Sequence, residues 1–283
     1  MSKKEILGSL QRASVIYRTE SGEGRRVWTD VSMDIHEGEW IVVIGPNGSG
    51  KSTLASVLLG LCPLSSGQLI YKQDEQWITR GVLQIPDAQF VGDTVQEELD
   101  YLPNAQDLTI EARAEWYRET LSVVGLSVPV ERALHTLSGG QKQLVNIAAA
   151  LAVHPAILVL DEPTAMLDPA ARKEVRQAVR EAHKRGTTIV WITHRLEEAA
   201  DATRVLGFGD GRVTFDGEPR VFFYGDEGGD RGDLSVMTPC NELGLDPPFV
   251  VKTAIGLLQQ GCQLRLLPID MEELAEAVSG SCP

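Results

Sequence analysis

Residues 45–53 read GPNGSGKST, and they limit the fold more than any other part of the chain. A short apolar run, WIVVI at residues 40–44, leads into them, and residues 51–59 read as a helix. Strand, glycine loop and helix in this order fit the pattern G-x-x-x-x-G-K-[ST]. An apolar run without alternation suits a strand covered on both faces. Two more such runs follow, ILVL at residues 157–160 and TIVWIT at 188–193, with a charged helical stretch at 169–185 between them. Strand–helix–strand order argues for an α/β fold with a parallel sheet and crossover helices. The loop has its own chemistry. Gly45, Gly48 and Gly50 let the backbone wrap closely around an anion. The exposed N–H groups and the helix N-terminus face negative charge. Lys51 reaches the β- and γ-phosphates of a nucleotide, Ser52 offers a hydroxyl to Mg²⁺, and Thr53 faces the α-phosphate side. Asn47 and Ser49, in the same loop, complete the set expected to hold the nucleotide.

The run ILVLDEPT ends a buried strand in two carboxylates, Asp161 and Glu162. The carboxyl ends of parallel strands border the ligand crevice. Neighbouring strand residues point to opposite faces, so the two acids are expected to do different work. Asp161 suits the water shell of Mg²⁺, and Glu162 suits the general base or the group that orients the attacking water. His194 ends the next strand at the same edge, within reach of a γ-phosphate. Gln84 follows a short apolar run, where its amide meets the metal or the lytic water, although Gln89 is nearby and equally polar. Tyr17 lies upstream of the loop; it either stacks on adenine or belongs to the core.

Around this centre, residues 9–17 alternate, and residues 205–215 read as a hairpin turning at Asp210-Gly211. Together they predict an antiparallel β layer beside the parallel core. The pattern between residues 87 and 126 turns helical, which places a helical subdomain at about 86–155. Residues 225–233, GDEGGDRGD, hold glycine and charge alone and read as a linker. The expected organisation is therefore residues 1–224 as one ATP-binding domain, the linker, and a small helical appendage at 234–283. That appendage has helices near 249–260 and 271–278. The net charge of −14 argues against nucleic acid and against direct attraction to anionic lipid. The start, MSKKEILGSL, lacks the apolar stretch of a signal peptide. No run approaches the ~18 apolar residues of a membrane span, so work at a membrane is expected to pass through a partner. Cys62, Cys240, Cys262 and Cys282 form no CxxC pair and read as buried or idle thiols in a reducing cytosol.

One glycine turn remains, LSGGQ at residues 137–141. Ser138 provides a hydroxyl, Gly139 and Gly140 provide close N–H donors, and the following helix favours anions at its N-terminus. With GPNGSGKST, Gln84, LVLDEPT, MLDP and ITH, in this order, residues 9–220 closely resemble an ATP-binding cassette (ABC) ATPase. The resemblance implies a P-loop core with a parallel sheet, an antiparallel β subdomain and a helical insert. It also implies that Ser138, Gly139, Gly140 and Gln141 face ATP held by a second cassette, identical or paralogous, with Asp168 on the seam. VLQIPDAQF and the tail NELGLDPPFVVKTAIGLLQQG resemble the ATPases of energy-coupling factor importers. That branch implies ATP hydrolysis at the cytoplasmic face of the cell membrane. The chain would be peripheral there, driving vitamin or micronutrient uptake through a transmembrane T component and a substrate-binding S component. In that branch the tails help hold the ATPases together. A cassette of another ABC transporter, such as a cobalt/nickel importer or an exporter, shares the motifs; a soluble cassette acting on ribosomes or DNA is a more distant alternative. Ile85, Ala88 and Leu144 depart from the pattern, standing where two asparagines and an arginine are usual.

Overall fold

β3 (Trp40–Ile44), β6 (Ile157–Asp161) and β7 (Thr188–Ile192) are buried at every position, as strands covered on both faces must be. The structure, a computed structural model, describes residues 4–18, 24–72, 79–225 and 237–279. Two longer strands precede the core, β1 (Ile6–Arg18) and β2 (Gly24–His36). After β3 come α1 (Lys51–Leu58), β4 (Ser66–Tyr71) and β5 (Thr79–Val82). The helical insert holds α2 (Val95–Asp100), α3 (Pro103–Gln106), α4 (Ile110–Val123) and α5 (Gly139–Leu151). β6 is then joined to β7 by α6 (Pro169–Lys184), and β8 (Arg204–Gly209) and β9 (Arg212–Gly217) follow. The chain ends in α7 (Pro219–Tyr224), α8 (Pro239–Glu242), α9 (Phe249–Gln259) and α10 (Met271–Ser279).

The main sheet has the order β5-β6-β7-β3-β8-β9 and is parallel except for β9. A second, antiparallel sheet has the order β2-β1-β4. Alternation along the central strands divides the core in two. Ile41, Val43, Val159, Val190 and Ile192 face the antiparallel sheet and α1, where they meet Trp28, Ile35, Leu54 and Leu58. Val42, Ile44, Leu158, Leu160, Ile189 and Trp191 face the helices, where they meet Leu144, Val175 and Val179. The sheet is thus a slab between a β layer and a helical layer, with its carboxyl edge open.

The hairpin expectation is corrected in one respect. Its turn is at Asp210-Gly211 as expected, but β8 pairs in parallel with β3 and extends the main sheet. The separate antiparallel layer is built by β1, β2 and β4 instead. Capping shapes the insert: Thr94 and Glu97 form a reciprocal capping box on α2, and Thr109 caps α4. Gly225 closes α7, and the rest of the expected linker lies outside the described residues. Residues of the tail, Cys240, Val251 and Ile269, join the same buried cluster as Trp191 and Phe222. Burial pushes the Cys240 thiol up to about 12, so it stays protonated and inert. Cys282 lies outside the described residues.

Candidate functional site

β3 delivers the glycine loop to the open edge of the sheet, and α1 starts where the loop ends. Gly45 has a different reason for being glycine than the one expected. A Cβ there would lie 2.1 Å from the Phe208 carbonyl oxygen of β8, so sheet packing excludes a side chain. Gly48 and Gly50 adopt φ values of +80° and +101°, which L side chains avoid. The Gly50 carbonyl accepts a hydrogen bond from Trp28 Nε1 at 3.1 Å, which pins the loop to β2. No side chain caps the N-terminus of α1, and no acid occupies its first turn, so its dipole is left for an anion. The Ser49 hydroxyl is buried in this loop with no partner among the described residues. A buried hydroxyl left free in a glycine loop fits a loop that takes up an anion.

Lys51 folds back into the loop, donating to the Gly45 carbonyl at 2.8 Å and the Pro46 carbonyl at 3.0 Å. Burial lowers its pKa, and the nearby Glu162 and Asp161 oppose that shift. An ammonium held by neutral carbonyls gains by exchanging them for phosphate oxygens. Ser52 Oγ donates to Asp161 Oδ1 at 3.2 Å, which brings two hard oxygen ligands together. Burial raises the Asp161 carboxyl above its ordinary value, against the pull of Ser52 and Lys51.

Glu162 and Asp161 diverge for a reason other than strand alternation. β6 ends at Asp161, and Glu162 turns out of it with a left-handed φ of +51°. Its N–H is held by the Ile192 carbonyl at 2.9 Å. This turn sets Glu162 Oε2 at 2.7 Å from His194 Nδ1, just beyond the end of β7. Burial raises the Glu162 carboxyl, and His194 counters the rise. A strained backbone that aims a carboxylate at a crevice is a recurrent feature of reactive sites.

The two glutamines separate cleanly. Gln89 accepts from the Leu83 N–H at 2.7 Å and donates to the Gly81 carbonyl at 3.2 Å, which closes the end of β5. Gln84 is exposed and lines the same cavity as Lys51, Glu162 and His194. Tyr17 is 44% exposed, so it is no core tyrosine. It lies 3.5 Å from Thr53 Oγ1 through its hydroxyl and lines the cavity from β1. The cavity has a volume of about 700 Å³, with Asn47, Gly48, Gly50, Ser52 and Thr53 on its floor. Gly45, Ser49 and Asp161 are buried behind that surface.

Three charged residues at the rim carry no site signal in the sequence: Arg25, Arg26 and Asp210. Arg25 is the cross-strand partner of Tyr17, so the register of β1 and β2 brings it there. Asp210 arrives because the hairpin turn docks on β2, where Thr29 N–H donates to the Gly211 carbonyl at 3.0 Å. The only signal in the sequence was the Asp-Gly turn itself.

Ser138, Gly139, Gly140, Gln141 and Asp168 do not line this cavity. Ser138 caps α5 in a reciprocal box with Gln141, and Asp168 caps α6 through the Ala170 and Ala171 N–H groups. The two helix starts lie side by side, since a Cβ on Gly140 would stand 2.6 Å from Ala171 Cβ. Ser138, Gly139 and Asp168 are exposed there, beside an 83% exposed Met166.

Residues 28–165 match the family described as ABC transporter. The chain is 40% identical to the energy-coupling factor transporter ATP-binding protein EcfA1 of Symbiobacterium thermophilum, covering 94% of both chains. It is 39% identical to the protein of that name from Halalkalibacterium halodurans, over 87% of this chain and 89% of the other. Among solved structures, it resembles cbiO1 from Clostridium perfringens, part of the ABC transporter complex cbiONQ. The TM-score is 0.68 at 27% identity, over 78% of this chain and 91% of the other. It also resembles the ATP-binding cassette MJ0796 in a dimeric post-hydrolysis state bound to ADP and Pi. That TM-score is 0.66 at 26% identity, over 76% of this chain and 99% of the other.

Proposed function

Because the chain belongs to the energy-coupling factor transporter ATP-binding proteins, a branch of the ABC transporter family, we propose that it hydrolyses ATP around Lys51 to drive vitamin or micronutrient uptake through a membrane partner. Tyr17 stacks on adenine, and Asn47, Gly48, Ser49, Gly50, Lys51 and Thr53 hold the phosphates. Ser52, Asp161 and Gln84 would hold Mg²⁺, directly or through water; their hard oxygens suit that ion. When bound, the ion neutralises phosphate charge. Glu162 takes the proton of the attacking water. His194 holds Glu162 in place and reaches the γ-phosphate.

Two chains share each site in this reading. The observation that carries it is the exposure of Ser138, Gly139 and Asp168 on a surface outside the chain's own cavity. The start of α5 presents the Ser138 hydroxyl and first-turn N–H groups, and the one cation of its first turn, Lys142, is paired with Asp87. That donor set suits the far side of a phosphate already faced by Lys51 and Mg²⁺. The second cassette is a copy of this chain or a paralogue, and α9 and α10 contribute to the pairing.

The membrane partner lands on the helical insert. Residues 86–131 carry ten acidic side chains against two arginines. Exposed Ile85, Val91 and Tyr101 lie in or beside that stretch. A cationic, partly apolar cytoplasmic segment of the T component complements such a surface. No helix among the described residues is long and apolar enough to cross a membrane. In this reading the T component holds the chain at the cytoplasmic face, and substrate choice belongs to the S component.

The test uses the assembled cassette pair with this chain's own site silenced by Glu162→Gln. The turnover that remains belongs to the partner's cradle. Adding Ser138→Arg to this chain is expected to remove it by about a hundredfold or more, the cost of losing a donor to transition-state charge. Turnover that persists unchanged rejects the shared site.

A further inference from the structure

Away from the ATP cavity, cations gather on one face of α6. Arg172, Arg176 and Arg180 recur at every fourth position, so they form a stripe along the helix. The stripe and the turn at Leu196–Asp201 border a groove of about 360 Å³, which Lys173 and Arg195 also line. The groove shares no lining residue with the ATP cavity. Three carboxylates answer these five cations. Asp201, whose side chain is 8% exposed, accepts from two arginines at once: from Arg176 Nε at 2.9 Å and Nη2 at 2.7 Å, and from Arg180 Nε at 2.7 Å. Glu197 pairs with Arg195. Glu198 is buried, accepts from Thr164 Oγ1 at 2.5 Å and Trp191 Nε1 at 2.8 Å, and has Arg195 Nε 3.8 Å away. Five cations against three carboxylates leave an excess of two positive charges, in a chain whose net charge is −14. Like charges four residues apart on a helix repel, and Asp201 offsets only part of that repulsion.

The donors that remain indicate the ligand. Arg172 Nε donates to the Leu167 carbonyl at 2.7 Å, and its two Nη groups have no partner among the described residues. Lys173 has no hydrogen bond or ion pair among them. Guanidinium groups already held by Asp201 and Leu167 have lost most of their freedom, so an anion meets fixed forks that match phosphate oxygens. From Arg172 to Arg180 the stripe rises about 12 Å at about 1.5 Å per residue, too long for one phosphate and suited to several in a row. No aromatic side chain lines the groove, so a nucleobase has no ring to stack on. We propose that this groove binds a chain of phosphate groups, free or carried by a nucleotide, at a site separate from the ATP cavity. The phosphates are what it reads, and whatever they are attached to stays outside. The site borders the residues assigned to the chemistry, since Arg195 follows His194 and Pro169 follows Asp168.

The probe is inorganic tripolyphosphate, and the readout is chemical acetylation of Lys173, followed by peptide mass spectrometry of the full chain. Lys252 of α9, 49% exposed, is the internal control. Tripolyphosphate is expected to abolish Lys173 labelling along a saturable curve and to leave Lys252 labelling constant. Sulfate at matched ionic strength is expected to change neither. Lys51→Ala weakens the ATP cavity and is expected to leave the protection of Lys173 in place, which separates this site from the ATP reading. Arg180→Gln is expected to raise the half-protecting concentration about tenfold, the worth of one hydrogen bond between charged groups. Glu197→Gln removes a carboxylate from the groove and is expected to lower it. In the Lys51→Ala chain, ATP that protects at least as well as tripolyphosphate assigns the site to nucleotides, and protection by tripolyphosphate alone assigns it to free polyphosphate. Equal protection by sulfate, an unchanged midpoint in Arg180→Gln, or protection that vanishes with Lys51→Ala would each overturn the proposal. So would a Lys173 already shielded in the assembled cassette pair without phosphate, since the groove would then be an interface.

Discussion

Glu162 is under two opposed influences. Burial disfavours its ionised form, and His194, at 2.7 Å, favours it. The net shift is upward, so the carboxylate takes up a proton at a higher pH than an exposed glutamate does. A protonated Glu162 cannot accept the proton of an attacking water. Turnover at saturating ATP is therefore expected to fall as pH drops through this raised value. His194→Ala removes the influence that lowers it, so the acid limb is expected to move to still higher pH. Glu162→Gln is expected to cut turnover by about 10²–10⁴-fold, the range of a lost general base. A pH–rate profile of the His194→Ala variant checks the argument, and an acid limb that stays in place speaks against the pairing as its cause.

At the level of elements, α5 and α6 meet as closely as backbones allow. Gly140→Ala would set a methyl group 2.6 Å from Ala171 Cβ, and the two helix starts that carry Ser138 and Asp168 must then part. Overpacking of this kind costs about 1–3 kcal/mol, visible as a lower melting temperature. The variant is also expected to lose turnover out of proportion to its stability, because the surface proposed to face a second cassette is displaced. Unchanged melting and turnover would mean that the crossing yields without strain. Which elements were legible in the sequence follows from how they are buried. β3, β6 and β7 announce themselves because a strand covered on both faces is apolar at every position. β5, with the sequence TRGV, is a four-residue edge strand buried fully only at Val82, and β4 is half exposed, so neither carries a pattern. The phosphate loop was legible because one contiguous segment builds it. Arg25 and Asp210 were not, because strand register and a docked turn, rather than spacing along the chain, bring them to the rim. The two strands of the hairpin were legible, but not the sheet they join, since β8 reads alike in either.

Across the whole molecule, the tail is built into the core rather than hung from it. Val251 and Ile269 are buried in the cluster that holds Trp191 and Phe222. Leu243 packs on β8, within 2.9 Å of where side chains at Gly207 and Gly209 would begin. Polar contacts fasten the same junction: Arg220 donates to the Leu267 carbonyl at 3.2 Å and pairs with Glu273, and Tyr224 donates to the Pro268 carbonyl at 2.5 Å. Burial pushes the Tyr224 phenol far up, which keeps that donor protonated at any working pH. Two consequences belong to this scale. The chain is expected to unfold in one cooperative thermal transition, because both buried clusters are built on the same strands of the main sheet and the tail packs into one of them. Ending the chain after Gly225 removes Cys240, Val251 and Ile269 from the core and uncovers their neighbours. The loss is on the order of 3 kcal/mol or more at ordinary values for buried side chains. For a chain of this size that corresponds to a drop in melting temperature of roughly 5–10 °C. Calorimetry of the full and shortened chains measures both. Two separate transitions in the full chain, or a shortened chain as stable as its parent, would mean that the tail folds on its own and only rests against the ATP-binding core.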